Sequence, residues 1–429
     1  MAEAMMNAAG RAAGFDTLLG AMLSGGDADA VRDAKTLIDD ARPEDLVVAV
    51  DAAVARGVPL DALKPAVSRL VNLLATPLKR HRREPPPGER LFSSLMAENE
   101  ALLAALDRGK TLAKAINDAT APIATRTGTI VDLRDLIEEV GAIETHYRKK
   151  ENVLFPWFEA RYPEFRCVRL MWEIHDDARR GLKDVSRLLD AALAGRDGAT
   201  LDPAPLNKAI GRLYFDLNAN AFREDYALFP VMMDLVSPAD DERLFAETLE
   251  YGWALLDDDS IARFHGAEAG AAATAFVAAG PAPLRRTADA GTDAGALGFS
   301  GRTGSIPGEA LAAMFAALPV DMTYVDANDE VRWFSDSPHR IFPRSPAIIG
   351  RDVRNCHPGA SVGRVVAIVD AFRRGEKDRE AFWITMKDRF IHIEYFALRG
   401  PGGEYLGVLE ASQDLTELRA LSGERRLAD

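Results

Sequence analysis

Cysteine is nearly missing: the 429 residues hold two, Cys167 and Cys356, far apart in the chain. Two distant thiols build neither a disulfide framework nor a thiolate zinc cluster. No run of 18 or more apolar residues occurs, so no segment is long enough to span a bilayer as a helix. The opening residues, Met1-Ala2-Glu3-Ala4-Met5-Met6, lack a basic stretch followed by an apolar one. No secretory signal is therefore expected, and the cytoplasm is the expected compartment. Positive charge is also short. The net charge is −14 and the pI near 5.1, which disfavours a nucleic-acid binder and equally an anionic membrane surface as partner. No nucleophile–base pair is legible, so an enzyme is the weaker expectation.

What is there suffices to fold. A hydrophobic fraction of 48% excludes wholesale disorder, and the length predicts two or three domains. Residues 12–78 read as several short helices, a docking module in which Gly57 and Pro59 separate Leu46-to-Arg56 from Leu60-to-Leu74. Pro85-Pro86-Pro87-Gly88 ends that module, since three consecutive prolines cannot continue a helix. Residues 88–262 read as a helix bundle. Its four long patterns place Leu91, Leu95, Leu102 and Leu106 on the first rod and Leu133, Leu136, Val140 and Ile143 on the second. The third carries Val168, Met171, Leu182, Val185 and Leu189, and the fourth Leu206, Ile210, Leu213 and Leu217. Apolar residues at steps of three and four make buried faces, and four such faces with short connections make an up-down bundle. Residues 266–306, rich in Ala, Gly, Thr and Ser, read as a flexible linker.

Polar residues interrupt these stripes at comparable depth: Glu98, His146, His175, Asn220 and Glu224. A buried ionised carboxylate costs on the order of several kcal/mol unless it is paired. The intruders therefore either bond to one another as a layer that sets helix register, or converge on a cation. The segment Glu144 to Pro156 also recurs in weakened form as Asn218 to Pro230. Both copies end in Leu-Phe-Pro, 74 residues apart, as internal pseudo-symmetry would produce.

From residue 307 to 422 the period changes to strands. Asp321 to Asp326 and Glu330 to Phe334 flank the turn Ala327-Asn328-Asp329, and a helix runs from Val362 to Arg373. Three more strands follow, Ala381 to Met386, Phe390 to Leu398 and Tyr405 to Ala411, with turns at Lys387-Asp388-Arg389 and Pro401-Gly402-Gly403.

Several segments resemble the hemerythrin-like (HHE cation-binding) bundle. They are His146 to Pro156, Met171-Trp172-Glu173-Ile174-His175-Asp176-Asp177-Ala178-Arg179, and Glu224 ahead of Leu228-Phe229-Pro230. The order of parts resembles a prokaryotic family that joins an uncharacterised helical domain, a hemerythrin-like bundle and a C-terminal PAS domain. The fold class is then multidomain α plus α+β: helical N-terminal module, up-down four-helix bundle, and PAS domain with an antiparallel sheet. The resemblance implies metal ligands at His146, His175 and Glu224, with Glu151 as a further candidate, and iron, mono- or dinuclear, as cofactor. Arg90, Lys150 and Asn220 stand at other positions where ligands are expected. Glu151 lies about 140° around an ideal helix from His146, so it joins the set only if the helix bulges.

The PAS resemblance is carried by Ile341-Phe342-Pro343-Arg344-Ser345, Ile349-Gly350-Arg351-Asp352-Val353, Asn355-Cys356-His357-Pro358, Gly403-Glu404-Tyr405-Leu406-Gly407 and Gln413-Asp414-Leu415-Thr416-Glu417. It implies a small ligand in a half-open cup, and a protein partner or homo-oligomer. Cys356, His357 and His339 are candidate ligating groups there for a haem or another metal centre; the alternative is that Cys356-His357-Pro358 caps a turn. His392 alternates with Glu394 along a strand, as a surface residue does.

The expected function is a sensor or binder of oxygen, nitric oxide, redox or iron state. The alternative is a metal-free interaction scaffold with a signalling PAS domain, which an Arg90–Glu224 pair inside the bundle would favour. A third reading is an iron-dependent protein of nitrosative-stress repair.

Overall fold

The computed structural model describes residues 2–25, 28–117, 123–162, 165–194, 203–264, 298–301, 304–338, 340–356 and 359–424. They divide into two units, Met1–Ala267 and Glu268–Asp429. Among the described residues no helix is long and apolar enough to cross a membrane.

The first unit begins with α1 (Ala2–Leu23), α2 (Ala28–Asp33), α3 (Lys35–Asp39), α4 (Pro43–Ala55) and α5 (Leu60–Arg80). Pro43 opens α4 at its first position, where a missing N–H is harmless, and Gly57 closes it at φ 77°. Helix α5 buries Leu63, Val67, Leu70, Leu74 and Leu78 at steps of three and four. The chain then leaves helix from Arg82 to Arg90, through the triple proline.

The bundle consists of α6 (Leu91–Ile116), α7 (Ile123–Val140), α8 (Ile143–Lys149), α9 (Phe155–Arg161), α10 (Val168–Ala194), α11 (Pro203–Arg223) and α12 (Phe229–Met233). Helices α7 to α9 form the second rod, and α11 with α12 the fourth. Each rod packs on its chain neighbours and α11 closes on α6, the up-down arrangement. Helices α13 (Pro238–Thr248) and α14 (Asp258–Ala262) follow, and α13 packs on α6.

Two single π turns, Lys150–Leu154 and Glu224–Leu228, interrupt the second and fourth rods at matching places. Each directly precedes a Phe-Pro pair. Proline has no N–H to give, and its ring collides with the carbonyl four residues back in an α turn. The backbone answers by widening: the Phe155 N–H bonds to Lys150 O, and the Phe229 N–H to Glu224 O, one residue further than in an α-helix.

The apolar core of this unit has two parts. One joins module to bundle, bringing Leu18, Leu70 and Leu74 together with Phe92, Phe155 and Phe229. The other fills the far half of the bundle with Leu102, Leu106, Leu133, Val185 and Leu213. The N-terminal helices are thus part of the bundle's own core. On all four rods buried polar residues lie where the two apolar parts meet, and they form the layer described below.

The first described elements of the second unit are two antiparallel strands, β1 (Gly298–Gly301) and β2 (Gly304–Pro307), and α15 (Gly308–Ala317). The end of the stretch expected as linker is therefore paired strand. Its glycines and serines carry no apolar alternation, and backbone pairing needs none. A five-stranded antiparallel sheet follows in the order β4-β3-β7-β6-β5, from β3 (Asp321–Asp326), β4 (Val331–Phe334), β5 (Arg379–Met386), β6 (Arg389–Arg399) and β7 (Tyr405–Asp414). Helix α16 (Gly359–Arg373) packs on it, with Val365, Val369 and Phe372 against Val325, Ile391 and Ile393.

The β5–β6 turn places both Lys387 and Asp388 at positive φ, 49° and 61°, where hairpins favour Asn-Gly. Lys387→Asn with Asp388→Gly is expected to stabilise the second unit by about 0.5–1 kcal/mol, the strain relieved at such positions. Chemical denaturation of the pair checks this; an unchanged midpoint would mean the turn is not strained.

Candidate functional site

The buried layer takes Glu98 and Asn99 from α6, His146, Lys149, Lys150 and Glu151 from the second rod, His175 from α10, and Asn220, Glu224 and Asp225 from the fourth rod, with the half-buried Arg179 of α10 at its edge. Its centre is Glu224, which is wholly buried. Glu224 Oε2 lies 2.8 Å from His146 Nε2 and accepts from Asn99 Nδ2 at 3.1 Å. Its Oε1 accepts from Asn220 Nδ2 at 2.8 Å and from the Lys150 ammonium. His175 Nε2 stands 3.8 Å from the same oxygen. Both imidazoles therefore point at one carboxylate.

The other two glutamates are satisfied in the same way. Glu98 receives Lys149 Nζ at 2.5 Å and the Ala254 N–H at 2.9 Å on one oxygen, and lies 2.9 Å from His146 Nδ1 through the other. Glu151 is 2.7 Å from His175 Nδ1 and accepts from Arg179 Nη2 at 2.8 Å. The π turn brings it there: with the helix widened, residue 151 comes round to the face of residue 146.

Burial alone would raise these carboxyls, but their cationic and hydrogen-bonding partners win. The His146 hydrogen bond and the Lys149 charge hold Glu98 below its ordinary value. Lys150 and His146 hold Glu224 well below it. Burial conversely pulls the Lys149 and Lys150 ammonium groups down, against the charges of Glu98 and Glu224. Aromatic faces ease that burial: Lys149 lies 4.5 Å from the Trp253 ring centre and Lys150 5.0 Å from that of Tyr147. Asp225 lacks such a cation, and burial pushes its carboxyl up to about 7 despite a 2.8 Å hydrogen bond from Asn99.

Lys150 and Glu224 are equivalent residues of the repeat, each opening its π turn, 74 positions apart. The two copies meet at this point, one offering an ammonium and the other a carboxylate.

Iron in this layer would need open lone pairs. Both ring nitrogens of His146 face carboxylate oxygens at hydrogen-bond distance, so neither lone-pair direction is open toward a metal. Every oxygen of Glu98, Glu151 and Glu224 already has a protein N–H or ring-nitrogen partner. One donor remains: His175 Nε2 is buried with no hydrogen-bond partner. Among the described residues no group of three or more His, Cys, Asp or Glu side chains is placed to hold a metal ion. The residues as arranged do not fit iron, because a lysine ammonium stands where a second carboxylate is expected.

Arg90 is not part of this layer. It precedes α6, its guanidinium pairs with Glu242 and lies 4.5 Å from the Phe245 ring centre, and its backbone N–H bonds to Asp241 at 2.8 Å. The Arg90–Glu224 pair that would have favoured the metal-free alternative is not formed; Lys150 pairs with Glu224 instead. Reading the sequence missed Lys149, Arg179 and Asp225, and it placed Lys150 at a ligand position without giving it a partner, because adjacent lysines between polar neighbours look like a solvated face. The repeat held the clue, since it aligns Lys150 with Glu224.

In the second unit Cys356 closes the short helical turn Val353–Asn355, with its thiol 3.6 Å from Asp352 O. His339 and His357 lie outside the described residues. His392 stands 3.9 Å from Glu394 on β6. The face of the sheet that carries the core also holds polar groups: Arg344 reaches Asp321 at 2.9 Å and Glu410 at 3.1 Å. Beside them the buried hydroxyls of Thr323 and Ser412 have no hydrogen-bond partner.

The two thiols should separate cleanly by chemistry. Cys167 is buried, and burial pushes its pKa up to about 12, whereas Cys356 is half-exposed. Since the thiolate is the reactive form, a disulfide reagent at neutral pH is expected to modify one thiol quickly and the second only on unfolding. Two equally fast thiols in the native protein would contradict the burial of Cys167.

Residues 90–243 match the hemerythrin HHE cation binding domain, and residues 311–416 match the PAS domain. No curated protein matches the chain. Two solved structures are similar to part of it. The crystal structure of a C-terminal domain from Streptococcus mutans is 27% identical over 29% of this chain and 97% of its own, with a TM-score of 0.28. The crystal structure of the PAS domain of a protein from Colwellia psychrerythraea is 15% identical over 25% of this chain and 97% of its own, with a TM-score of 0.21. The chain thus joins an N-terminal helical region, a hemerythrin HHE cation-binding domain and a C-terminal PAS domain.

Proposed function

We propose that this chain is a signalling protein whose bundle is a metal-independent scaffold and whose PAS domain takes the signal. A sensor or signalling role is what hemerythrin-like and PAS domains support together. The observation that carries the finer reading is the Lys150–Glu224 pair, wholly buried at the bundle centre. A fixed ammonium there supplies the positive charge that three converging carboxylates need. The unpartnered hydroxyls of Thr323 and Ser412 beside Arg344 favour a small polar ligand in the PAS cup.

Elemental analysis and an absorption spectrum of the protein purified from its native host test the first part. The expected result is no stoichiometric metal and no visible band. Stoichiometric iron that His175→Ala removes would overturn it. Such iron would favour the second reading, an oxygen-, nitric-oxide- or redox-reading centre, for which the open His175 Nε2 is the supporting observation.

A further inference from the structure

Two adjoining clefts, of about 780 and 490 Å³, lie between α5 of the N-terminal region and the bundle helices. They share Ser68, Asn72, Phe215 and Arg223. Most cations on the larger cleft have a carboxylate: Lys64 pairs with Asp177 at 2.9 Å, Arg180 with the same Asp177, and Arg212 with Asp216 at 3.7 Å. Arg223 and Arg69 do not. Arg223 is only 7% exposed, its Nε has no hydrogen-bond partner, and its Nη2 donates to Ser68 Oγ at 2.6 Å. Arg69 lines the same cleft from the exposed side and donates to the Met22 carbonyl. Neither has a carboxylate within 4.0 Å among the described residues.

This is unusual chemistry for the chain. Acidic residues outnumber Lys and Arg by 66 to 52, yet a nearly buried guanidinium is left with a neutral hydroxyl. A guanidinium keeps its charge in proteins, and the carboxylates that act on Arg223, Asp216 and Glu224, do so without direct ion-pair contact. A planar fork with an open N–H edge, in a cleft that a second guanidinium also lines, suits a carboxylate or phosphate.

We infer that this cleft binds a small oxyanion, a phosphate-bearing or carboxylate-bearing compound, on Arg223 and Arg69, with Ser68, whose hydroxyl donates to Lys64 O at 2.9 Å, holding the Arg223 guanidinium in place. A bound anion would tie α5, which carries Ser68 and Arg69, to the end of α11, which carries Arg223. The side-chain hydrogen bonds of Ser68, Arg69 and Arg223 go to Lys64 O, Met22 O and one another, and none goes to the buried layer.

The test is calorimetric titration of the full chain with inorganic phosphate and, separately, with succinate, at constant ionic strength set by sodium chloride. Saturable binding of either is expected; phosphate alone assigns a phosphoryl ligand and succinate alone a carboxylate. Arg223→Gln and Arg69→Gln should each weaken it about tenfold or more, as loss of a charged hydrogen bond does. Without anion, Arg223→Gln should melt close to the parent chain, because no carboxylate lies within 4.0 Å of the guanidinium it removes. Should that variant fail to fold, Arg69→Gln on the exposed side carries the test alone. No saturable heat from either anion, or undiminished binding in the variants that fold, overturns the site.

Discussion

Lys150→Met is expected to destabilise the first unit by about 3–5 kcal/mol, the cost of stranding one member of a buried ion pair. The methionine keeps much of the volume, so the loss is electrostatic: Glu224 stays buried but loses its full-time cation. Asn99, Asn220 and His146 remain as donors, which softens the loss without cancelling it. Urea denaturation followed by far-ultraviolet circular dichroism measures the change. Adding Glu224→Gln to Lys150→Met should recover much of it, because a neutral amide no longer needs the ammonium. In a double-mutant cycle, a coupling below about 0.5 kcal/mol, the usual scatter of independent sites, would show that the pair does not hold the layer together.

The second large effect concerns metal. Lys150→Glu with Asn220→His places a second carboxylate and a third imidazole around Glu224 and the open His175 Nε2. Without a cation this variant should be less stable than Lys150→Met, since two carboxylates then face each other in a dry site. Zinc or ferrous iron should restore it in a saturable way, by about 2.7 kcal/mol at a hundredfold excess over the dissociation constant. The parent chain should gain nothing from the same additions. If its melting temperature rises as much as the variant's, the ammonium is not standing in for a cation.

Much of the architecture was readable from residue spacing. The four apolar stripes, the break at the triple proline and the strands after Asp321 all reappear in the structure, because period alone distinguishes a helix face from a sheet face. The polar intruders Glu98, His146, His175, Asn220 and Glu224 are all buried, since each sits on an otherwise apolar stripe. Period does not say which neighbour a stripe packs on. That is why the N-terminal helices read as a separate module although Leu70 and Leu74 share a core with Phe92 and Phe229. The partner of Glu224 was hidden for a different reason. An ideal helix keeps Lys150 on the stripe, four residues after His146, but a lysine there reads as a lost ligand and not as a partner for Glu224; Glu151 is the residue that needs the widened turn ahead of Pro156 to enter the layer.

The two halves of the bundle are related in sequence but opposite in sign where they touch. A fragment bearing one half could not close a bundle with a copy of itself, because ammonium would confront ammonium, or carboxylate confront carboxylate, away from water. Homotypic pairing would carry a penalty on the order of several kcal/mol. Each half is thereby matched to its sibling and mismatched to its twin.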